Sequence, residues 1–155
     1  MEYRKLGSSD LKVSVIGYGA WGIGGAPFWN TEGHTKSLNS IKKAYDRGIN
    51  FFDTAPVYGF GHSEELIGKA LKPVRDKVII ATKCGLRWDK EALGSIRKDA
   101  SRNSILQEID QSLKRLGTDV IDLYQVHWPD VETEPKETME TLLELQQKGK
   151  IRYIG

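Results

Sequence analysis

The chain is poor in cysteine: Cys84 is the only one among 155 residues. One thiol cannot close an intrachain disulfide, which excludes the disulfide framework of small secreted domains. Long apolar runs are also missing, and nothing approaches the roughly 18 residues that a membrane span needs. Met1-Glu2-Tyr3-Arg4-Lys5 lacks the apolar stretch of a signal peptide, so the expected compartment is the cytoplasm. There is no excess of one charge. Lys and Arg total 23 against 21 Asp and Glu, a net +2, and the bases are interspersed with acids, which argues against a nucleic-acid surface. His34, His62 and His127 share no ligand spacing and Cys84 has no cysteine partner, so no metal site is expected. Cys84 itself reads as a buried inert thiol, or as one activated by its neighbour Lys83.

What is present is a regular alternation. Apolar runs at Val13–Gly17, Asn50–Thr54, Lys77–Lys83, Val120–His127 and Ile151–Gly155 read as strands buried on both faces, because apolar residues fill them with little alternation. Between them lie helical stripes: Leu38, Ile41 and Tyr45; Leu66, Ile67, Ala70 and Leu71; Ile105, Ile109, Leu113 and Leu116; Met139, Leu142 and Leu143. Ser63-Glu64-Glu65 and Pro135 with Glu137 look like helix starts, and Gly48, Gly117 and Gly149 look like helix stops. The order β-α-β-α-β-α-β-α-β predicts parallel strands with right-handed crossovers, in one domain over 1–155. An open doubly wound sheet and part of a (β/α)8 barrel both fit. Residues 1–12, with Tyr3–Lys5 and Leu11–Lys12 flanking a Gly7-Ser8-Ser9-Asp10 turn, read as a hairpin able to plug the bottom of a barrel.

Gly17-Tyr18-Gly19-Ala20-Trp21-Gly22 matches the dinucleotide pattern G-x-G-x-x-G and follows a strand. That pattern works only when a helix opens on it and faces the pyrophosphate. Here Ile23–Asn30 follows, with glycines, a proline and aromatics but no helical stripe, and a helix begins only near Thr35. An aromatic-bearing loop is the better reading, with Trp21, Phe28 and Trp29 as candidate pocket walls or simply as loop packing.

In barrel enzymes the chemistry sits at the C-terminal ends of the strands. Four polar groups are expected there: Asp53 ending the second strand, Tyr58 on the loop after it, Lys83 ending the third and His127 ending the fourth. Singly, each has a bland account: a snorkelling lysine, a turn aspartate, a packing tyrosine, a satisfied histidine. Together they describe an acid catalyst for carbonyl reduction. A phenol can give its proton to a carbonyl oxygen that is becoming an alkoxide, and a neighbouring ammonium makes a phenol a stronger acid. Lys83 can supply that ammonium, Asp53 is its natural counterion, and His127 can orient the carbonyl. The electrons must come from a hydride-donating cofactor.

These stretches resemble the aldo-keto reductases along essentially the whole chain. The resemblance is carried by Gly48-Ile49-Asn50-Phe51-Phe52-Asp53-Thr54-Ala55 with Tyr58-Gly59 and Ser63-Glu64-Glu65-Leu66-Ile67-Gly68, by Ile80-Ala81-Thr82-Lys83, and by Leu116-Gly117-Thr118-Asp119 leading to Val126-His127-Trp128-Pro129. It is similar to bacterial NADPH-dependent members of the general-stress type. The resemblance implies a (β/α)8 barrel and NADPH-dependent reduction of aldehydes and ketones. It implies an Asp53, Tyr58, Lys83, His127 tetrad with Tyr58 as proton donor. It also implies cofactor contacts at Ala20, Trp21 and Asp53, and substrate contacts at Trp21, Tyr58, Trp88, His127 and Trp128. Relatives often carry threonine where Ala20 stands.

Four βα units and the start of a fifth make about half of a barrel. In the family, the later strands hold the nicotinamide amide, the pyrophosphate and the 2′-phosphate, so weak NADPH binding is expected of this half. Open strand edges and a half-filled concave face lead to the expectation of a homodimer. A truncated or engineered half-barrel with little activity is the alternative reading.

Overall fold

In the computed structural model, which describes residues 1–29 and 33–155, the apolar stripes wind into four α-helices: α1 (His34–Asp46), α2 (His62–Leu71), α3 (Arg102–Leu116) and α4 (Pro135–Gln147). Helix α3 shows the local rules at work. The Ser101 side chain accepts a hydrogen bond from the Ser104 amide at its start, which satisfies one of the free N–H groups of a first turn. Gly117 ends it in the left-handed region at φ 62°, a conformation that only glycine adopts without penalty. The inward stripe, Ile105 and Ile109, is wholly buried.

The main sheet holds β3 (Tyr18–Gly19), β4 (Phe51–Asp53), β5 (Ile79–Cys84), β8 (Ile121–Val126) and β9 (Ile151–Ile154). All are parallel and their spatial order is β3-β4-β5-β8-β9. Each new strand therefore adds to the same side as the chain proceeds. A doubly wound sheet reverses direction part-way, whereas a barrel does not. This unidirectional order settles the choice left open by the sequence in favour of barrel topology. Phe52, Ile80, Ile121 and Tyr124 are fully buried and form the core together with the inward faces of the helices.

The expected strand over Val13–Gly17 is corrected. Val13 belongs to β2 (Lys12–Ser14), which pairs antiparallel with β1 (Tyr3–Lys5), and the first strand of the main sheet is β3. Between them Ser14 leaves the ladder: its amide donates to Asn50 Oδ1, 36 residues away, at 2.7 Å, and its hydroxyl closes a local bond to the Ile16 carbonyl at 2.7 Å. Val15 and Ile16 are left exposed. The β1–β2 hairpin packs Leu11 and Val13 against Ile79, with Phe51 and Tyr153 alongside. Phe51 and Ile79 begin their strands, so the hairpin covers the N-terminal end of the sheet, opposite the site described below. Asp10 fastens it by accepting from the Tyr153 hydroxyl at 2.8 Å and from Arg152 at 3.1 Å.

A second small hairpin, β6 (Leu86–Arg87) with β7 (Arg97–Lys98), follows β5 and has no counterpart in the sequence reading. Two residues per strand carry no usable periodicity. Among the described residues, no helix is long and apolar enough to cross a membrane.

Candidate active site

The C-terminal ends of β4, β5 and β8 lie side by side. Asp53 is in register with Ala81, and Lys83 with Gln125, two residues before His127. This register, with the loop after β4 that carries Tyr58, brings the four candidate residues into one cluster. Lys83 is the hub. Its ammonium donates to Asp53 Oδ1 at 2.8 Å, to the Thr54 carbonyl at 2.7 Å and to the Tyr58 hydroxyl oxygen at 3.4 Å. Only 11% of the Lys83 side chain is exposed, so the charge needs those partners, and Asp53 is the counterion as expected. Because the phenol oxygen accepts from Lys83, its own hydrogen is free to point elsewhere.

His127 is held by its backbone, whose N–H donates to the Cys84 carbonyl at 2.9 Å and extends the β5–β8 ladder by one rung. Its ring stands edge-on to that of Tyr58, with centroids 5.8 Å apart. Burial, and then the nearby Lys83 charge, push the imidazole down to about 4. It is therefore neutral at neutral pH and able to donate one N–H to a carbonyl oxygen. Burial pushes the Cys84 thiol up, with a further push from Glu108. It is the inert cysteine of the two sequence readings, not the activated one.

Tyr58 and His127 open onto a cavity of about 430 Å³ walled mainly by Trp21, Phe28, Leu86 and Trp128. Trp21 is about half exposed, as is Trp128, and Lys98 from the unforeseen hairpin sits 6.0 Å from the centre of the Trp128 ring. Trp29 packs edge-on against Trp21 at 5.3 Å and lines a neighbouring cavity of about 520 Å³. Trp88 does not line the 430 Å³ cavity. It packs against Phe60, with ring centroids 5.5 Å apart, beside the buried Ala55, Val57 and Leu86. Ala20 has no exposed surface; its amide donates to the Asp53 carbonyl at 2.8 Å and its carbonyl accepts from Ser63 at 2.9 Å. Both backbone groups of Ala20 are thus committed inside the core.

The glycine motif has a structural explanation. No α-helix opens on it; a single 3-10 turn over Gly22–Gly24 follows, and Asn30, the end of the expected loop, lies outside the described residues. A Cβ on Gly19 or Gly22 would meet nothing within 4 Å. A Cβ on Gly59 would lie 1.9 Å from the Gly24 carbonyl oxygen, and one on Gly24 would lie 2.8 Å from the Tyr58 carbonyl carbon. Gly24 and Gly59, outside the motif, therefore let one loop's backbone seat directly on the backbone of Tyr58; within it, a Cβ on Gly17 would lie 3.0 Å from the Phe51 ring. Gly59, Phe60 and Gly61 are all left-handed, at φ 62°, 52° and 102°. For a bulky residue such as Phe60 this is a strained conformation.

Beneath the cluster lies a buried polar layer that composition did not reveal. Glu64 is fully buried and accepts from Thr82 Oγ1 at 2.7 Å and from Arg115 Nε at 2.6 Å. Ser63, expected as a helix-start residue, does not cap α2; the N-cap is Gly61, with no side-chain bond.

The comparisons with known proteins bear on the family and the fold. Residues 15–155 match the model of the aldo/keto reductase family. The chain belongs to the aldo/keto reductase family. It is 48% identical to aldo-keto reductase YhdN of Bacillus subtilis, over all of this chain and 46% of that protein. It is 42% identical to the NADH-specific methylglyoxal reductase of Escherichia coli, over 97% of this chain and 50% of the relative. Among solved structures, aldo-keto reductase AKR11C1 from Bacillus halodurans, in its holo form, superposes with a TM-score of 0.90 at 39% identity, over 100% of this chain and 49% of that one. The glycerol dehydrogenase AKR11B4 from Gluconobacter oxydans superposes with a TM-score of 0.87 at 41% identity, over 99% and 47%. The chain spans about half the length of the curated relatives it matches. With its unidirectional parallel sheet, it has the fold of half an aldo-keto reductase barrel.

Proposed function

We propose that this chain carries the proton-transfer centre of an NADPH-dependent carbonyl reductase, with Tyr58 as the donor. The observation that carries this reading is the Lys83 ammonium, which bridges the Asp53 carboxylate and the Tyr58 hydroxyl at the mouth of an apolar, aromatic-walled cavity. In this reading an aldehyde or ketone sits in the cavity with its oxygen toward Tyr58 and His127. Tyr58 delivers its proton to that oxygen as negative charge develops there. Lys83 stabilises the phenolate left behind, and Asp53 holds Lys83 in place. Neutral His127 orients the carbonyl through one N–H, and Trp21 and Trp128 exclude water.

NADPH supplies the hydride when bound. Asp53 and Trp21, both with exposed surface beside Tyr58, would hold its nicotinamide end. The glycine motif makes no phosphate cradle, because no helix opens on it. These residues fit the reactive end of the cofactor and leave its phosphates to other groups. A second copy of the chain pairing along an edge of the sheet, β3 or β9, is the homodimer that the open edges support; light scattering that reads a monomer at high concentration sinks it.

The test of the function is NADPH oxidation with a reactive aldehyde, comparing the wild type with Tyr58→Phe. The expected result is a loss of about 10²–10⁴-fold in kcat, the usual contribution of a positioned acid. Equal rates in the two proteins refute the assignment of Tyr58. Direct titration with NADPH reports how much of the cofactor's affinity resides in these residues.

A further inference from the structure

We infer that Ser63 is a positioning residue, which sets the place of Lys83 relative to Tyr58 by tying the loop after β4 and the end of β3 to the first turn of α2. Ser63 is fully buried, and three separate bonds converge on it. Its backbone N–H donates to the carbonyl of Tyr58 at 3.2 Å. Its hydroxyl donates to the carbonyl of Ala20 at 2.9 Å, and Ala20 in turn donates its amide to the Asp53 carbonyl at 2.8 Å. The Thr54 hydroxyl lies 2.9 Å from Ser63 Oγ. Since the one Ser63 hydrogen goes to Ala20, Thr54 is the donor in that contact. The Thr54 carbonyl is the shortest acceptor of the Lys83 ammonium, at 2.7 Å. One residue thus holds, through its backbone, the residue that carries the phenol, and through its hydroxyl the residue whose carbonyl holds the ammonium and the residue bonded to the counterion's backbone.

Two further observations support a positional role. A serine in the first turn of a helix ordinarily spends its hydroxyl on the free amides there. Helix α2 instead begins at Gly61 without any side-chain cap, so this hydroxyl is used for bonds between elements. The next residue, Glu64, extends the tie to the third strand by accepting from Thr82, the residue before Lys83. Removing the Ser63 hydroxyl strands two buried groups, the Ala20 carbonyl and the Thr54 hydroxyl. Such groups recover partners by shifting, and Thr54 cannot shift without moving the acceptor of Lys83.

The inference rests on the proposed roles of Tyr58 and Lys83, but its test does not require turnover. Reductive methylation of the folded chain, quantified by peptide mass spectrometry, reads how tightly Lys83 is held; exposed Lys69, on the same helix, is the internal reference. Ser63→Ala is expected to raise Lys83 labelling relative to Lys69 by roughly fivefold, the ratio that one net hydrogen bond sets. Ser63→Thr, which keeps the hydroxyl, is expected to restore protection. Thr54→Val is isosteric and keeps the Ser63–Ala20 bond, and it is expected to behave like Ser63→Ala. Unchanged Lys83 labelling in both Ser63→Ala and Thr54→Val overturns the inference. So does a parallel rise at Lys69 and Lys83, which reports general loosening. Tyr58→Phe kinetics separately decide the proton donor, so either idea can fail alone.

Discussion

At His127, burial and a neighbouring cation both oppose protonation, and the result can be measured directly. Its imidazole is pushed down to about 4, so an NMR titration of its ring carbons is expected to show a midpoint near 4. Lys83→Met removes the second cause and is expected to move that midpoint upward; an unshifted midpoint in both proteins contradicts the placement. The effect on stability has a definite sign. Between the ordinary histidine value of 6.5 and about 4, the unfolded chain binds a proton that the folded chain does not, so this residue's contribution is present above that window and is lost as pH falls through it. That Asp53, Tyr58, Lys83 and His127 come together was legible in the sequence, because each is an ionisable type that closes an apolar run or follows one. Ser63 was not. Serine ahead of two glutamates reads as a cap, and only the burial of its hydroxyl against Ala20 and Thr54 reveals another use. The burial of Ala20 was not legible either, since the resemblance that implied a cofactor contact there says nothing about its exposure.

Between elements, backbone-to-backbone seating and one buried ion pair fix the loops that carry the site. Gly59→Ala places a Cβ 1.9 Å from the Gly24 carbonyl in a left-handed conformation. It is expected to cost about 2 kcal/mol or more in urea denaturation and to displace Tyr58. Gly22→Ala meets open space and is expected to cost about 1 kcal/mol or less. A larger loss from Gly22 than from Gly59 would contradict the seating of Gly59 on Gly24. Glu64 is wholly buried and Arg115 is its counterion. Arg115→Met therefore strands a carboxylate and is expected to destabilise by about 3–5 kcal/mol, measured the same way. Helices were legible from their periodicity, and the six-residue strands from their nearly unbroken apolar runs. The two-residue strands β3, β6 and β7 were not, because two residues carry no usable pattern and their pairing shows only in the structure. That unseen hairpin supplies Leu86 to the cavity wall and Lys98 to Trp128.

Across the whole molecule, strand order decides the architecture, and buried ionisable groups shape how it responds to pH. The alternation of strands and helices showed in the sequence, but barrel and open-sheet topologies share it; only the addition of each strand to the same side distinguishes them. Glu108, on α3, reaches the turn after β5, accepting from the Gly85 amide at 3.1 Å and from Ser104 Oγ at 3.0 Å. Burial pushes its carboxyl up to about 7 from 4.5, against those two bonds and the Arg87 charge and with the Asp99 charge. Here the folded chain keeps a proton that the unfolded chain has lost, so stability falls as pH rises from about 4.5 to about 7. That is the reverse of His127. Denaturation at pH 5 and pH 8 is expected to show the wild type losing stability relative to Glu108→Gln on the alkaline side; a constant difference would mean that Glu108 does not titrate there. The central claim is that Tyr58 and Lys83 act as one proton-delivering unit. The most direct measurement is a double-mutant cycle in kcat/KM for aldehyde reduction with Tyr58→Phe, Lys83→Met and the pair. The account predicts a double variant within about threefold of the worse single variant, as for residues that act as a unit. Losses that multiply would contradict it.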